Sequence, residues 1–405
     1  MRSAALSLLL VLPLVAEADT VLADDFEGAT RLRSEVPPGA WNSLDRRPGC
    51  PDTVTPLAAH RDLGGLRIDD QSAATGSGDM TAYYATFTAP LTTQAHLRFW
   101  FRLSTNNDRG SLVLGELLRA ASGSACDVTL RNPGALLGAA GANADATFSS
   151  LDSGVRLSTG AWHLVECGVR GLGTTAGERW LALDAQVVAR EANLDFRNTT
   201  VSAAAVGQPY SMDLAFSGAL DFDDVRVGDA PQAARWSVDG GALSPGACVP
   251  WTIGLLDSEG SPTVLPFDAL LSYTAQRAML FADPLCLATL PALFLPAGDS
   301  TLTVYLRATG NSPASLDVAF VDVLPGGHAV VVGSAADAGA STDAGVLVSD
   351  AGLEMDAGVP VADAGLDPTM RSLGVGCGCA SADGALAWLL LALTSRGTRA
   401  WRGRR

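Results

Sequence analysis

The chain contains no lysine: all 27 of its basic residues are arginine, set against 43 carboxylates, for a net charge of −16 over 405 residues. Binding to phosphate backbones needs a basic face that releases counterions, so this acidic balance excludes nucleic acid as a partner. Long amphipathic helical patterns are also missing, which excludes a helical fold. No strand-like stretch carries Glu-x-Asp-x-Glu, the alternation that would set catalytic carboxyls on one face of a strand for glycoside hydrolysis. Asp221 and Asp223 alternate, but the next position in that register is Val225. His60, His96 and His163 each stand singly in or beside strand-like runs, and the sequence nominates no partner for acid–base work. No catalytic residue is therefore assigned, and the chain reads as a non-enzyme.

What is present begins at the termini. Arg2, the apolar run from Ala4 to Val15, and the small residues Ala16 and Ala18 compose a secretory signal peptide over residues 1–18, cleaved after Ala18. The run is shorter than the roughly 20 residues that span a bilayer. At the other end Gly376-Cys377-Gly378-Cys379 precedes an apolar stretch, Ala385 to Leu393, and then Arg396, Arg399, Arg402, Arg404 and Arg405. A short apolar run backed by positive charge reads as a retention signal. A zinc site at the two cysteines would need a nearby histidine or third cysteine, and none is there. The order of cysteine, apolar run and arginines resembles the MYXO-CTERM sorting tail of myxobacterial surface proteins. That resemblance implies processing near Cys377 and Cys379 by a sorting protease. It also implies export to the cell envelope or outer surface, with attachment to the membrane through residues 373–405.

Before the tail, residues 334–372 hold Asp-Ala-Gly at Asp337, Asp343, Asp350, Asp356 and Asp363, with no positive charge from Ser334 to Pro368. Repelling carboxylates and glycine favour a disordered linker, which would span on the order of 35 Å. A calcium-binding repeat would need the glycine-rich nonapeptide period, which is absent.

The intervening residues are all-β in texture. Runs such as His96 to Leu103, Trp162 to Val169, Trp180 to Ala189 and Leu220 to Val227 alternate polar and apolar side chains between turn-forming clusters. Over residues 19–229 five motifs carry a likeness: Asp24-Asp25-Phe26-Glu27-Gly28, His60 to Asp69, Trp162-His163-Leu164-Val165-Glu166, Trp180-Leu181-Ala182-Leu183-Asp184 and Phe222-Asp223-Asp224-Val225-Arg226-Val227. In order and spacing they resemble the concanavalin A-like (laminin G-like) jelly-roll superfamily, with Ala185 where that family has glycine. The resemblance implies a sandwich whose first and last strands lie side by side. Glu27 would then approach Asp223 or Asp224 as oxygen ligands of a structural calcium; no cofactor is required otherwise. The alternative is that these acids are solvated charges on edge strands.

Aromatic faces stack on sugar rings, so Trp41, Tyr83 and Tyr84 are the candidate ligand-binding residues. Adjacent Tyr83 and Tyr84 must point to opposite faces of a strand, so at most one enters the core. Trp100 and Trp162, inside alternating strands, are expected to fill the space between sheets. Residues 230–333 open with strand-like Arg235 to Val238 and Cys248 to Asp257, then a Ser258-Glu259-Gly260 turn, and later show Pro296-Ala297-Gly298. They resemble bacterial immunoglobulin-like modules, which implies a spacer. Export would oxidise Cys248 and Cys286 into a disulfide. Cys50, Cys126 and Cys167 allow three pairings, of which Cys126 with Cys167 is favoured because both sit in or beside predicted strands.

The expected fold is therefore a concanavalin A-like jelly-roll sandwich, a smaller immunoglobulin-like β-sandwich, a disordered linker and a short C-terminal apolar helix. The expected function is binding of a glycan or a surface protein. A structural spacer without a small ligand is the alternative, with a polysaccharide-degrading enzyme third.

Overall fold

In a computed structural model the described residues are 20–330, apart from 28–40, 47–48, 62, 72–80, 214–215, 266 and 321–322. The expected signal peptide, linker, C-terminal helix, Cys377 and Cys379 lie outside them. Among the described residues the chain is almost entirely strand, interrupted by one short 3-10 turn at Pro56–Ala58.

Residues 20–228 build two facing antiparallel sheets. The first runs, in spatial order, through Gln186–Leu194, Gly177–Leu183, Trp162–Arg170, Gln94–Asn106, Gly218–Gly228, Gly65–Asp70 and Asp52–Thr55. Thr20–Asp24 joins it by pairing with the far half of Gly218–Gly228, so the first and last strands of the sandwich do lie side by side. The second sheet runs through Phe148–Arg156, Leu136–Ala142, Ser124–Arg131, Ser111–Arg119, Val201–Asp213, Thr81–Leu91 and Ser43–Arg46.

Alternation decides what each strand buries. In Gln94–Asn106, Ala95, Leu97, Phe99, Phe101 and Leu103 enter the core between the sheets, where they meet Leu112, Leu114, Leu117, Val128 and Leu130 of the second sheet. Each of these side chains larger than alanine contributes roughly 1.5–3 kcal/mol on leaving water. Cys126 of the second sheet and Cys167 of the first are bonded across this core, their Cα atoms 6.3 Å apart. The cross-link ties the two layers together and closes a loop that, in the chain-entropy account, contributes about 4 kcal/mol. Cys50 is buried, and its thiol donates to Gln208 Oε1 at 3.1 Å.

A third sheet follows, in the order Ala278–Phe281, Thr301–Ala308, Cys248–Leu256, Arg235–Gly240, Val323–Val330, Ala314–Phe320, Ala269–Gln276 and Leu293–Leu295. It folds over a core of its own, where Trp251, Ile253, Val304 and Leu306 from one half meet Leu271, Leu316 and Val318 from the other. The expected Cys248–Cys286 disulfide is formed here.

The third sheet meets the outer face of the first, and this corrects one expectation. Trp100 alternates with Phe99 and Phe101, so it points away from the space between the sheets. There it is buried with Leu164, Ala185 and Ala234. The same alternation turns His96, Arg98 and Trp180 outward into this junction, where Arg98 donates to the Ala233 carbonyl. Glu259 accepts from Arg170, at 3.2 Å, and from Arg190. Ala185 explains itself at this place. It occupies the second residue of a hairpin turn with φ 59°, after Asp184 at φ 49°, a conformation that favours glycine. Its methyl group packs in the Trp100 cluster, contact that a glycine would lack.

Candidate binding face of the sandwich

Two of the three aromatic residues expected on a binding surface are core residues. Trp41 is 3% exposed and donates its indole N–H to Asp24 Oδ2 at 2.5 Å, while its ring meets Tyr83 edge-on with centroids 5.9 Å apart. Tyr83 is equally buried and donates its hydroxyl to Asp52 Oδ2 at 2.6 Å. A loop tryptophan is drawn inward here because a buried carboxylate stands ready to accept its one polar hydrogen. Tyr84, on the other face of the same strand, stays half-buried and outward.

The acids proposed for calcium are not gathered into one metal-holding group. Glu27 accepts from the amides of Leu63, at 2.8 Å, and Gly64. Asp223 accepts from the amides of His60 at 2.7 Å and Asp224 at 2.9 Å. Asp224 stands 4.0 Å from His60 Nδ1. Burial pushes the Asp223 carboxyl up to about 8, and the neighbouring Asp224 charge adds to the effect. Among the described residues no set of three or more His, Cys, Asp or Glu is placed to hold a metal ion.

The histidines that looked solitary each have a carboxylate beside them. His96 Nδ1 lies 3.0 Å from Glu166 in full burial, and His163 Nδ1 lies 2.9 Å from Asp184. His60 stacks on Trp100, centroids 3.7 Å apart. These partners sit on neighbouring strands or turns, so sequence spacing could not reveal them. His96 and Glu166 are sealed under the junction and His60 is packed against Trp100, which gives them structural work.

The arrangement with the most chemistry lies on the outer face of the second sheet. Cys126 points inward to its disulfide, so Asp127 must point outward. Leu117 is in the core, so Glu116 points outward too. Glu116 and Asp127 are directly opposite one another on adjacent strands. The cross-strand row continues from Glu116 through Ala205 and Tyr84 to Ser43, and from Asp127 through Ala140 to Ser150. Facing residues in such a row have Cβ atoms roughly 4.5–5.5 Å apart, so the two carboxyls share one environment. Burial raises both: the Glu116 carboxyl to about 8, with the Asp127 charge adding to the effect, and the Asp127 carboxyl to about 6, held there by the Ser124 hydroxyl and the Arg179 charge. Both carboxyls are thus shifted toward the protonated form, in which a carboxyl pair offers a donor as well as acceptors.

Beside it, Asp127 Oδ1 and Thr129 Oγ1 are buried without a hydrogen-bond partner among the described residues. Arg131 and Asp152 form an ion pair of 2.6 Å on the same face. The small side chains of Ala140, Ala205 and Gly138 leave the floor of this face low, and Tyr84 stands at one side. At about 4.8 Å between strands, the row from Ser43 to Ser150 is roughly 29 Å long. The sequence did carry a weak signal for it, since each of two otherwise apolar strands, Leu112 to Leu118 and Ala125 to Val128, contains one acid. A search for carboxyls along a single strand could not find a pair assembled across two.

No protein-family model and no curated protein matches the chain. Among solved structures it is similar to an endo-β-1,4-glucuronan lyase from the fungus Trichoderma reesei, at 15% identity and a TM-score of 0.38, over 48% of this chain and 92% of that one. It is also similar to the receptor binding domain of botulinum neurotoxin D, at 9% identity and a TM-score of 0.34, over 75% of this chain and 73% of that one. The binding domain of the serotype G neurotoxin is similar at 9% identity and a TM-score of 0.36, over 74% and 85% of the two chains.

Proposed function

We propose that this chain is an exported, envelope-held binding protein whose sandwich takes up a carbohydrate along the outer face of its second sheet. The observation that carries this reading is the Glu116–Asp127 pair, set mid-row with Tyr84 on a floor of small residues. Vicinal sugar hydroxyls need donors and acceptors side by side, which a carboxyl pair shifted toward the protonated form supplies. Tyr84 offers a ring on which a sugar stacks. The row's length suits an extended oligosaccharide better than a single sugar. In this reading the sandwich is a concanavalin A-like jelly roll, the third sheet is an immunoglobulin-like spacer, and the C-terminal residues hold the protein to the membrane. The two disulfides fit the oxidising compartment that export implies. This reading does not require calcium at Glu27, Asp223 and Asp224.

A glycan array followed by calorimetry on the exported chain tests the proposal. We expect saturable binding to one glycan class, weakened at least tenfold by Asp127→Asn and by Tyr84→Ala. Binding unaffected by both substitutions, or no binding by folded protein, would overturn the assignment. Release of new reducing ends would move the pair from recognition to catalysis.

A further inference from the structure

Leu285 and Leu287 are 72% and 78% exposed, and they flank Cys286, which is buried and bonded to Cys248. Their exposure is built into the loop. The Asp283 carboxylate accepts the N–H groups of Leu285 at 2.9 Å, Leu287 at 3.0 Å and Ala288 at 2.6 Å. Those amides hold its carboxyl below the ordinary range and use its oxygens inside the loop. Ala282 and Leu290 close the base by donating to the carbonyls of Ala288 and Leu280, at 2.9 and 3.0 Å. With its middle residue cross-linked and its acid turned to the backbone, the loop cannot fold the two leucines back onto the sheet.

The surroundings extend this tip. Met279, Arg307 and Cys248 are directly opposite one another on adjacent strands, so they share the face on which the loop lies. Met279 is exposed, and the Arg307 guanidinium lies over the Phe281 ring, 4.7 Å from its centroid. Arg277 stands immediately before the same edge strand. The chain leaves the module at this end. Val330 pairs with Ala314, a short turn joins Ala314 to Ala308, and Ala308 pairs with Ala278. The sequence that follows Val330 carries the apolar run Ala385 to Leu393 and, after that run, five arginines.

We propose that the Leu285–Leu287 tip inserts into the interfacial layer of a lipid bilayer, with Arg277 and Arg307 meeting headgroup phosphates. The proposal rests on envelope attachment for the nearness of a bilayer. Its chemistry favours lipid over a second copy of the chain. Leu285, Leu287 and Met279 expose roughly 350 Å² per chain, so pairing two such patches would bury roughly 700 Å², below the about 1,000 Å² total that a stable protein interface buries. A bilayer demands no matching surface, only apolar side chains flanked by cations.

The test uses the full chain, disulfides intact, with vesicles of phosphatidylcholine alone or mixed with phosphatidylglycerol. Leu285→Trp adds a reporter at the tip, read as the increment over the parent's emission. Flotation reports whether the chain is held by vesicles at all, and quenching by brominated lipid reports whether the tip enters them. We expect quenching of the added tryptophan several-fold above that of the parent, stronger with phosphatidylglycerol, with Arg307→Gln removing the phosphatidylglycerol effect. Flotation without added quenching overturns tip insertion and leaves envelope attachment standing. Quenching only at high lipid, with no flotation, supports the tip and counts against the attachment. A lipid-independent shift of the added emission together with dimers in sedimentation assigns the patch to self-association and overturns the proposal.

Discussion

Replacing Glu116 by glutamine should stabilise the sandwich at alkaline pH and leave it unchanged at acid pH. The carboxyl is raised from 4.5 to about 8 by burial and by its neighbour Asp127. A group with a raised folded pKa keeps its proton in the native state at pH values where the unfolded chain has released it. Its cost to stability is therefore absent below about pH 4.5, grows as pH rises through the window to 8, and is constant above. At 1.36 kcal/mol per unit the whole shift corresponds to about 5 kcal/mol. Glu116 keeps some contact with water, which screens the penalty, so we take about 2–3 kcal/mol as the expected gain. Glutamine has the shape of the protonated acid and cannot ionise. For a domain of this size the gain raises the melting temperature by about 4–10 °C. Calorimetry of parent and Glu116→Gln from pH 4.5 to 8.5 should show curves that coincide at the acid end and separate steadily above pH 5. A gap of constant size across that range, or a parent that gains on the variant as pH rises, would refute a buried pair shifted toward the protonated form.

Three further outcomes follow from the packing. Removing the inter-sheet disulfide with Cys126→Ala and Cys167→Ala should cost about 4 kcal/mol in urea unfolding, because a 41-residue separation is no longer closed in the unfolded chain. Gly168→Ala should cost about 1–3 kcal/mol and alter tryptophan emission, since an added Cβ would stand 2.2 Å from Trp180 Cζ2. Trp41→Phe should cost about 1–3 kcal/mol by removing the indole donor from buried Asp24, and should leave glycan affinity within twofold, as befits a core residue.

The alternation of His96 to Leu103 was enough to read a strand, and the motifs from Asp24 to Val227 were enough to place the first strand beside the last. Cysteine positions in predicted strands selected the Cys126–Cys167 pair, because strand residues are held where a partner sheet can reach them. Local pattern could not say which outward faces would stay wet. Trp100, Trp180 and His96 have the periodicity of a half-solvated strand, yet the junction with the third sheet buries them. Trp41 has the context of a loop residue, yet Asp24 draws it into the core. The candidate site shows the same division. Glu116 and Asp127 are visible in the sequence as single acids in apolar strands, eleven positions apart. Composition and alternation, which depend on near neighbours, determined that this chain would be layered β-structure with apolar inner faces. Tertiary structure decided the register that sets Glu116 opposite Asp127 and the packing that raises both carboxyls, because cross-strand proximity and desolvation depend on residues far away in the chain.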